Sequence, residues 1–178
     1  RAGYEQLEKE MFVALDTGEE IEVFNRAALS NKCLQYASGA CYHDPDARDT
    51  WAEIHDAKLN ALDEIVKETG NEPLLLAYNF RFDAARIMKK YPGAVNVSGT
   101  SADETVRIVD EFSRGRIKLL IGHPKSMGHG IDGLQDTCCN LIGYGLPWSL
   151  ELKDQFVARV YRQGQKGHVT YHRILTAG

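Results

Sequence analysis

Four short, largely apolar runs punctuate the second half of this sequence: Leu74–Tyr78, Ala94–Ser98, Ile117–Ile121 and Leu141–Tyr144. Segments with helical spacing separate them, near Arg81–Lys90 and from Asp103 to Ser113, and a further helix, Leu152–Arg162, leads to a last strand at His168–Ile174. A strand that is apolar along its length must be covered on both faces, and helices that cross between parallel strands provide that cover. The expectation is an α/β fold: a parallel sheet with helices on both faces. Such sheets bind ligands at the loops leaving the carboxyl ends of their strands, so those loops are where chemistry is to be sought.

The first half reads differently. Tyr4, Leu7, Met11 and Leu15 recur at helical spacing, Glu19–Arg26 is charged and mixed, and Ala27–Ser38 reads as another helix bearing Leu29, Cys33, Leu34 and Ala37. Residues 39–50 contain Gly, Pro and three Asp and read as loop. An amphipathic helix follows over His55–Thr69, with Leu59, Leu62, Ile65 and Val66 on one stripe and Gly70 as its stop. At 178 residues the chain is about one domain long, divided here into a helical extension over 1–50 and an α/β domain over 51–178.

Charge narrows the class. The net formal charge is −4, whereas a free-standing DNA-binding module is usually basic. Residues 151–178 nevertheless carry five Lys or Arg against two Asp or Glu, a local positive patch. No window approaches 18 apolar residues and the first residues resemble no signal peptide, so no membrane is expected. Arg rather than Met at position 1 suggests a piece of a longer protein. Cys33, Cys41, Cys138 and Cys139 lack the C-x₂-C spacing of metal clips and are expected as reduced thiols in a cytoplasmic protein, with no metal site.

The loops after the apolar runs carry the polar chemistry. Asn79 and Arg81 follow the first run, where they can hold a phosphate backbone, or Asn79 can simply cap the next helix. Ser98, Gly99 and Thr100 follow the second, with Ser101 and Glu104 spaced as a capping box. The third leads to His123-Pro-Lys125-Ser126-Met-Gly128-His129-Gly130-Ile131-Asp132, where paired glycines let backbone amides approach a ligand, and Lys125 and Ser126 offer a charge and a hydroxyl. His129 reads as structural, and Trp148 in Gly145-Leu-Pro-Trp-Ser149 as packing rather than base stacking. Near the end, Gln155, Arg159, Arg162 and Gln165 stand in QFVARVYRQGQ. Two arginines three apart share one helical face, and their guanidinium forks suit phosphate oxygens; a solvated basic helix end is the plainer alternative.

This stretch resembles the last motif of the Swi/Snf helicase-like ATPases of superfamily two, where a Gln, two Arg and an R-x-G-Q ending keep this spacing. Further similarities follow in the family's order. Asn79–Phe82 looks like the aromatic-rich motif opening the second lobe, and Ser98-Gly99-Thr100 like its Gly-Ser or Gly-Thr step. Ser126 to Asp132 is similar to Ser/Thr followed by G-x-G-Leu-Asn, although Ile131-Asp132-Gly133 departs from that ending. Lys32–Gln35 resembles K-L-R-Q without its Arg, and His55–Leu59 the S-G-K-L start of the helix entering the second lobe. The H-P-x-S-x-G-H-G wording is similar to phage and prophage members, which implies the cytoplasm of a bacterial or phage-infected cell.

The resemblance implies the second RecA-like lobe of a DNA helicase or translocase, using ATP and Mg²⁺ held mainly by a first lobe of the same protein. Arg159 and Arg162 would act on the γ-phosphate, and Gln155, Gly128, Gly130, Asp132 and Gln165 would contact the nucleotide. Asn79, Arg81, Ser98, Gly99, Thr100, Lys125 and Ser126 would contact DNA through its backbone, non-specifically and with strong dependence on salt. The 178 residues hold neither G-x-x-x-x-G-K-[ST] nor an acidic metal box, so the chain by itself is expected to hydrolyse nothing measurable and to bind DNA very weakly. A degenerate lobe kept as an inert scaffold is the alternative. A different α/β nucleotide enzyme would need a nucleophile or base arrangement that the sequence does not offer.

Overall fold

The computed structural model describes residues 2–10, 12–14, 20–22, 26–44, 48–70, 72–127, 133–145 and 149–176. They fall into two compact units, Arg1–Lys58 and Leu59–Ala177. The sequence reading placed its boundary at 50/51.

The first unit contains α1 (Ala2–Glu10), β1 (Phe12–Ala14), β2 (Glu20–Glu22), α2 (Arg26–Ser38), β3 (Ala40–Tyr42) and β4 (Trp51–Glu53). β1 pairs antiparallel with β2, and β3 with β4. These hairpins correct the expectation of a helical extension: α1 stops at Glu10 rather than Leu15, and strand replaces part of the loop foreseen over 39–50. Met11, Leu15 and residues 45–47 lie outside the described residues. Strands of three residues are too short for a period of two to register in the sequence.

What holds β3 in place is polar. From α2, the buried Lys32 donates its ammonium to Tyr42 O, while the side-chain carbonyl of Gln35 accepts from Tyr42 N at 3.0 Å. The Lys-x-x-Gln spacing therefore grips both ends of one residue's backbone. Gln35→Leu withdraws that buried acceptor and is expected to cost about 1–3 kcal/mol, measured by urea unfolding. An unchanged midpoint would show that the contact contributes nothing. Leu7, Cys33 and Cys41 form the small core beside it, and burial pushes the Cys41 thiol up to about 12.

The second unit follows the predicted rhythm. Its elements are α3 (Ala57–Glu68), β5 (Leu74–Ala77), α4 (Arg81–Lys90), β6 (Ala94–Asn96), α5 (Ala102–Ser113), β7 (Leu119–Gly122), α6 (Pro124–Met127), a 3₁₀ turn at Leu134–Asp136, β8 (Asn140–Gly143), α7 (Leu150–Ala158) and β9 (Thr170–Arg173). The five strands form one sheet in the order β6-β7-β5-β8-β9, every pair parallel.

Alternation along the strands distributes the apolar side chains to two cores. Leu74, Leu76, Ile121 and Ile142 join Leu59 and Leu62 of α3 and Ile87 of α4. Leu75, Leu120 and Leu141 join Phe112 of α5 and Phe156 of α7. Successive residues of a strand face opposite ways, so a run apolar throughout feeds both layers. This is the covered parallel sheet that the apolar runs required.

Candidate functional site

Because all five strands run the same way, the loops after β5, β6 and β7 emerge at one edge. There they are tied by backbone bonds: Tyr78 N donates to Gly122 O at 3.1 Å, and Val97 N to Ile121 O at 2.9 Å. Side chains extend the connection across three strands. The Tyr78 hydroxyl and the Asn96 amide lie 3.2–3.3 Å apart, Ser98 N donates to Asn96 Oδ1 at 2.9 Å, and His123 N donates to Ser98 Oγ at 2.7 Å. The Tyr78 and His123 rings meet edge to face, with centroids 6.2 Å apart.

This places the expected nucleic-acid residues Asn79, Arg81, Ser98, Gly99, Thr100, Lys125 and Ser126 at one end of the sheet. Several also serve the scaffold. Thr100 Oγ1 donates to Val97 O and meets Thr105 Oγ1, each at 2.9 Å, and Gly99 takes the left-handed conformation, φ 84°. Ser101 accepts from Glu104 N and caps α5, as the capping-box spacing predicted. The cap expected of Asn79 is corrected: Phe80 holds the N-cap position of α4, and Asp83 reaches back to accept from Phe80 N at 3.0 Å. Phe80 stacks on the buried Phe82, with centroids 5.0 Å apart, and stays half exposed.

Gly122 explains how the chain turns so abruptly into α6. A β-carbon there would stand 2.8 Å from Met127 Cγ and 2.9 Å from Val97 Cγ1, both buried side chains.

The arginines lie elsewhere. A helix crossing between parallel strands carries the chain back from the carboxyl to the amino edge, so the C-terminal end of α7 faces away from the loops just described. Gln165 confirms the placement: its Nε2 donates to Cys138 O at 3.0 Å, just before β8 begins. Candidate site residues thus separate into two groups at opposite edges of the sheet, correcting the expectation that all informative loops gather at the carboxyl ends.

A second correction concerns the helix. It closes at Ala158 rather than Arg162, its last turn tightening to bonds such as Val160 N to Val157 O at 3.1 Å. Arg159 is the C-cap and half-buried; Arg162 is exposed on the following bend, so the two do not share a helical face. Val160 between them is fully buried and anchors the bend in the core. Gln165 N donates to Arg162 O at 3.1 Å across a turn whose third residue, Gly164, has φ 100°. That turn needs a glycine and gives R-x-G-Q its physical reason. Gln165 is held firmly, its Oε1 accepting from Gly167 N at 2.8 Å. Gln155 donates from Nε2 to Glu151 Oε1 at 3.1 Å, one turn back along α7.

Gly128, Gly130 and Asp132, with His129, lie outside the described residues, as does Trp148. Among the described residues no three His, Cys, Asp or Glu side chains gather as a metal site. No helix among them is long and apolar enough to cross a membrane. Cys138 is buried, and burial pushes its thiol up to about 12.

Sequence reasoning missed Tyr78, Asn96 and His123. The available signal was Asn96, a polar residue interrupting an apolar run one step before a loop.

The sheet and its helices form a RecA-like α/β fold, the fold of the helicase C-terminal domains that it matches. The C-terminal part of the Fun30 ATPase domain matches with TM-score 0.58 at 20% identity, over 66% of this chain and 40% of that one. The C-terminal domain of the DEAD-box protein Dbp5 matches with TM-score 0.53 at 16% identity, over 68% and 72% of the two chains. A hypothetical ATP-dependent RNA helicase from Sulfolobus tokodaii gives TM-score 0.53 at 21% identity, over 66% and 34%. In sequence, protein p41 of Acyrthosiphon pisum secondary endosymbiont phage 1 is 43% identical over 98% of this chain. The chain spans 37% of that relative's length. No family model matches the sequence.

Proposed function

We propose that this chain is the second lobe of an ATP-driven DNA translocase or helicase of Swi/Snf type, from the phage branch of that group. The observation that carries the reading is the separation of two groups of polar side chains on one sheet: Asn79, Arg81, Ser98, Thr100, Lys125 and Ser126 at the carboxyl edge, and Arg159 and Arg162 at the end of α7. The similarity to a phage protein and to the Fun30 lobe supports the same assignment.

In this reading a first lobe of the same protein meets the arginine side, and ATP lies between the lobes. The donor set fits a triphosphate, since two permanently charged guanidinium groups stand within four residues of each other and can bind phosphate oxygens bidentately. Mg²⁺ would be held by carboxylates of the first lobe. Hydrolysis of ATP supplies the driving free energy. Arg162 stabilises negative charge at the outer phosphate, Arg159 holds the adjoining oxygens, and Gln155 orients Arg159 along α7. Gln165 positions Arg162 by fixing the turn beneath it, and the family resemblance alone assigns Gly128, Gly130 and Asp132 to the nucleotide. Meanwhile Asn79, Arg81, Ser98, Gly99, Thr100, Lys125 and Ser126 hold the DNA backbone at the opposite edge. The sheet links the two, so closure on the nucleotide moves the strand grip as one body.

The test is ATP hydrolysis by the whole protein with and without DNA. Hydrolysis that rises severalfold with DNA, and loses that stimulation at high salt, is the expected result. A whole protein that binds DNA but never hydrolyses ATP would replace this reading with that of an inert scaffold.

A further inference from the structure

His123 stands at the meeting point of the three loops, yet its side chain has no part in the strand grip described above. Its ring is half-buried against Tyr78. Its backbone N–H is fixed by Ser98 Oγ at 2.7 Å, and its Nδ1 accepts from Lys125 N at 3.2 Å. A neutral imidazole that accepts at Nδ1 carries its proton on Nε2. Nε2 has no hydrogen-bond partner among the described residues. The ring is therefore held in one tautomer, donor side uncommitted, between Ser98 on one loop and Lys125 and Ser126 on its own.

We propose that His123 is a further nucleic-acid contact, donating from Nε2 to a phosphate oxygen of the bound strand. This rests on the strand-binding reading of the carboxyl edge. The geometry favours a phosphodiester because, among the described residues, the uncommitted groups beside the ring are donors. Ser98 accepts through its oxygen and keeps its own O–H to give, and Lys125 contributes an ammonium. Backbone anions are also what a sequence-independent grip must recognise.

Among the described residues, the titratable groups facing the ring are Lys125 on its own turn and Tyr78 just after β5; Asn96 at the end of β6 and Ser98 in the loop after it are neutral. Burial, then the Lys125 charge, hold the imidazole below its ordinary value, which favours the neutral ring in the free protein. A phosphate at Nε2 acts in the opposite direction and favours the protonated ring. Affinity for the strand should accordingly strengthen as pH falls toward and below about 6.5.

The experiment is NMR on the isotopically labelled chain, following the His123 ring and the amides of Ser98, Lys125 and Ser126 during titration with a short oligothymidylate. The expected result is movement of those amides together with a rise in the His123 pKa. His123→Asn should weaken binding roughly ten- to a hundredfold, the span of one hydrogen bond to a charged group. Asparagine can keep the acceptor that Lys125 N uses while removing the distal donor, so a merely structural histidine would tolerate it. If the amides move but the His123 pKa stays fixed and His123→Asn binds as wild type does, the His123 contact is overturned and the strand grip stands. If nothing on this edge moves at saturating oligonucleotide, both are overturned.

Discussion

Arg162→Ala is expected to reduce DNA-stimulated ATP hydrolysis by the whole protein about a hundredfold or more, with stability almost unchanged. An arginine placed on a transferring phosphoryl group contributes roughly 10³–10⁵ in rate. What the structure shows of Arg162 is a backbone held by turn chemistry. Val160 is sunk in the core, Gly164 adopts φ 100°, and the Gln165 amide is clasped by Cys138 O and Gly167 N, so the exposed side chain at 162 springs from a rigid base. Because the side chain itself is exposed, its truncation should cost little stability. The loss should fall on kcat more than on KM, as for an interaction made chiefly in the transition state. Arg162→Lys should recover little, since an ammonium cannot reproduce the fork. A mutant as fast as wild type would make the arginine a surface charge and leave the scaffold reading in possession.

Much of the fold was readable because it rests on one-dimensional rules. Leu74–Leu76 and Leu119–Ile121 are apolar on consecutive residues, and only a sheet covered twice can bury both sets. The stripe of α3 and the Ser101 cap of α5 follow equally local rules. What escaped depends on partners distant in sequence. Ala40–Tyr42 forms a strand because Lys32 and Gln35 grip Tyr42 and Trp51–Glu53 pairs with it. The residues of the strand do not announce it. The early end of α7 is of the same kind. Spacing alone put Arg159 and Arg162 on one helical face, whereas burial of Val160 and the left-handed Gly164 close the helix first. The division of the site between two edges was derivable, since a crossover helix must return the chain to the amino side, but the sequence motif obscured it. The network of Tyr78, Asn96 and His123 had one signal in the sequence, the polar Asn96, but its partners were out of reach because it joins three strands whose order, β6-β7-β5, is not their order in the chain.

Two substitutions on α5 separate burial from helix propensity. Phe112 is fully buried in the last turn of the helix, packed in the core that also holds Leu120, Leu134 and Phe156. Phe112→Ala is expected to destabilise the chain by about 3–5 kcal/mol, the loss of a ring's transfer energy together with the cavity left behind. Val106, on the same helix, is 64% exposed, and Val106→Ala should change stability by at most a few tenths of a kcal/mol, favourably, because alanine is the better helix former. Urea unfolding of both variants beside wild type measures the contrast. The consequence extends to the strand grip. Ser101 starts α5 directly after Ser98-Gly99-Thr100, so a helix that no longer docks at Phe112 lets that loop drift from His123. Oligonucleotide affinity should therefore fall in Phe112→Ala, at temperatures where the variant is still folded, and hold in Val106→Ala. A Phe112→Ala variant as stable as wild type would mean that α5 does not cover this face of the sheet, and the positioning of the Ser98 loop would have to come from β6 alone.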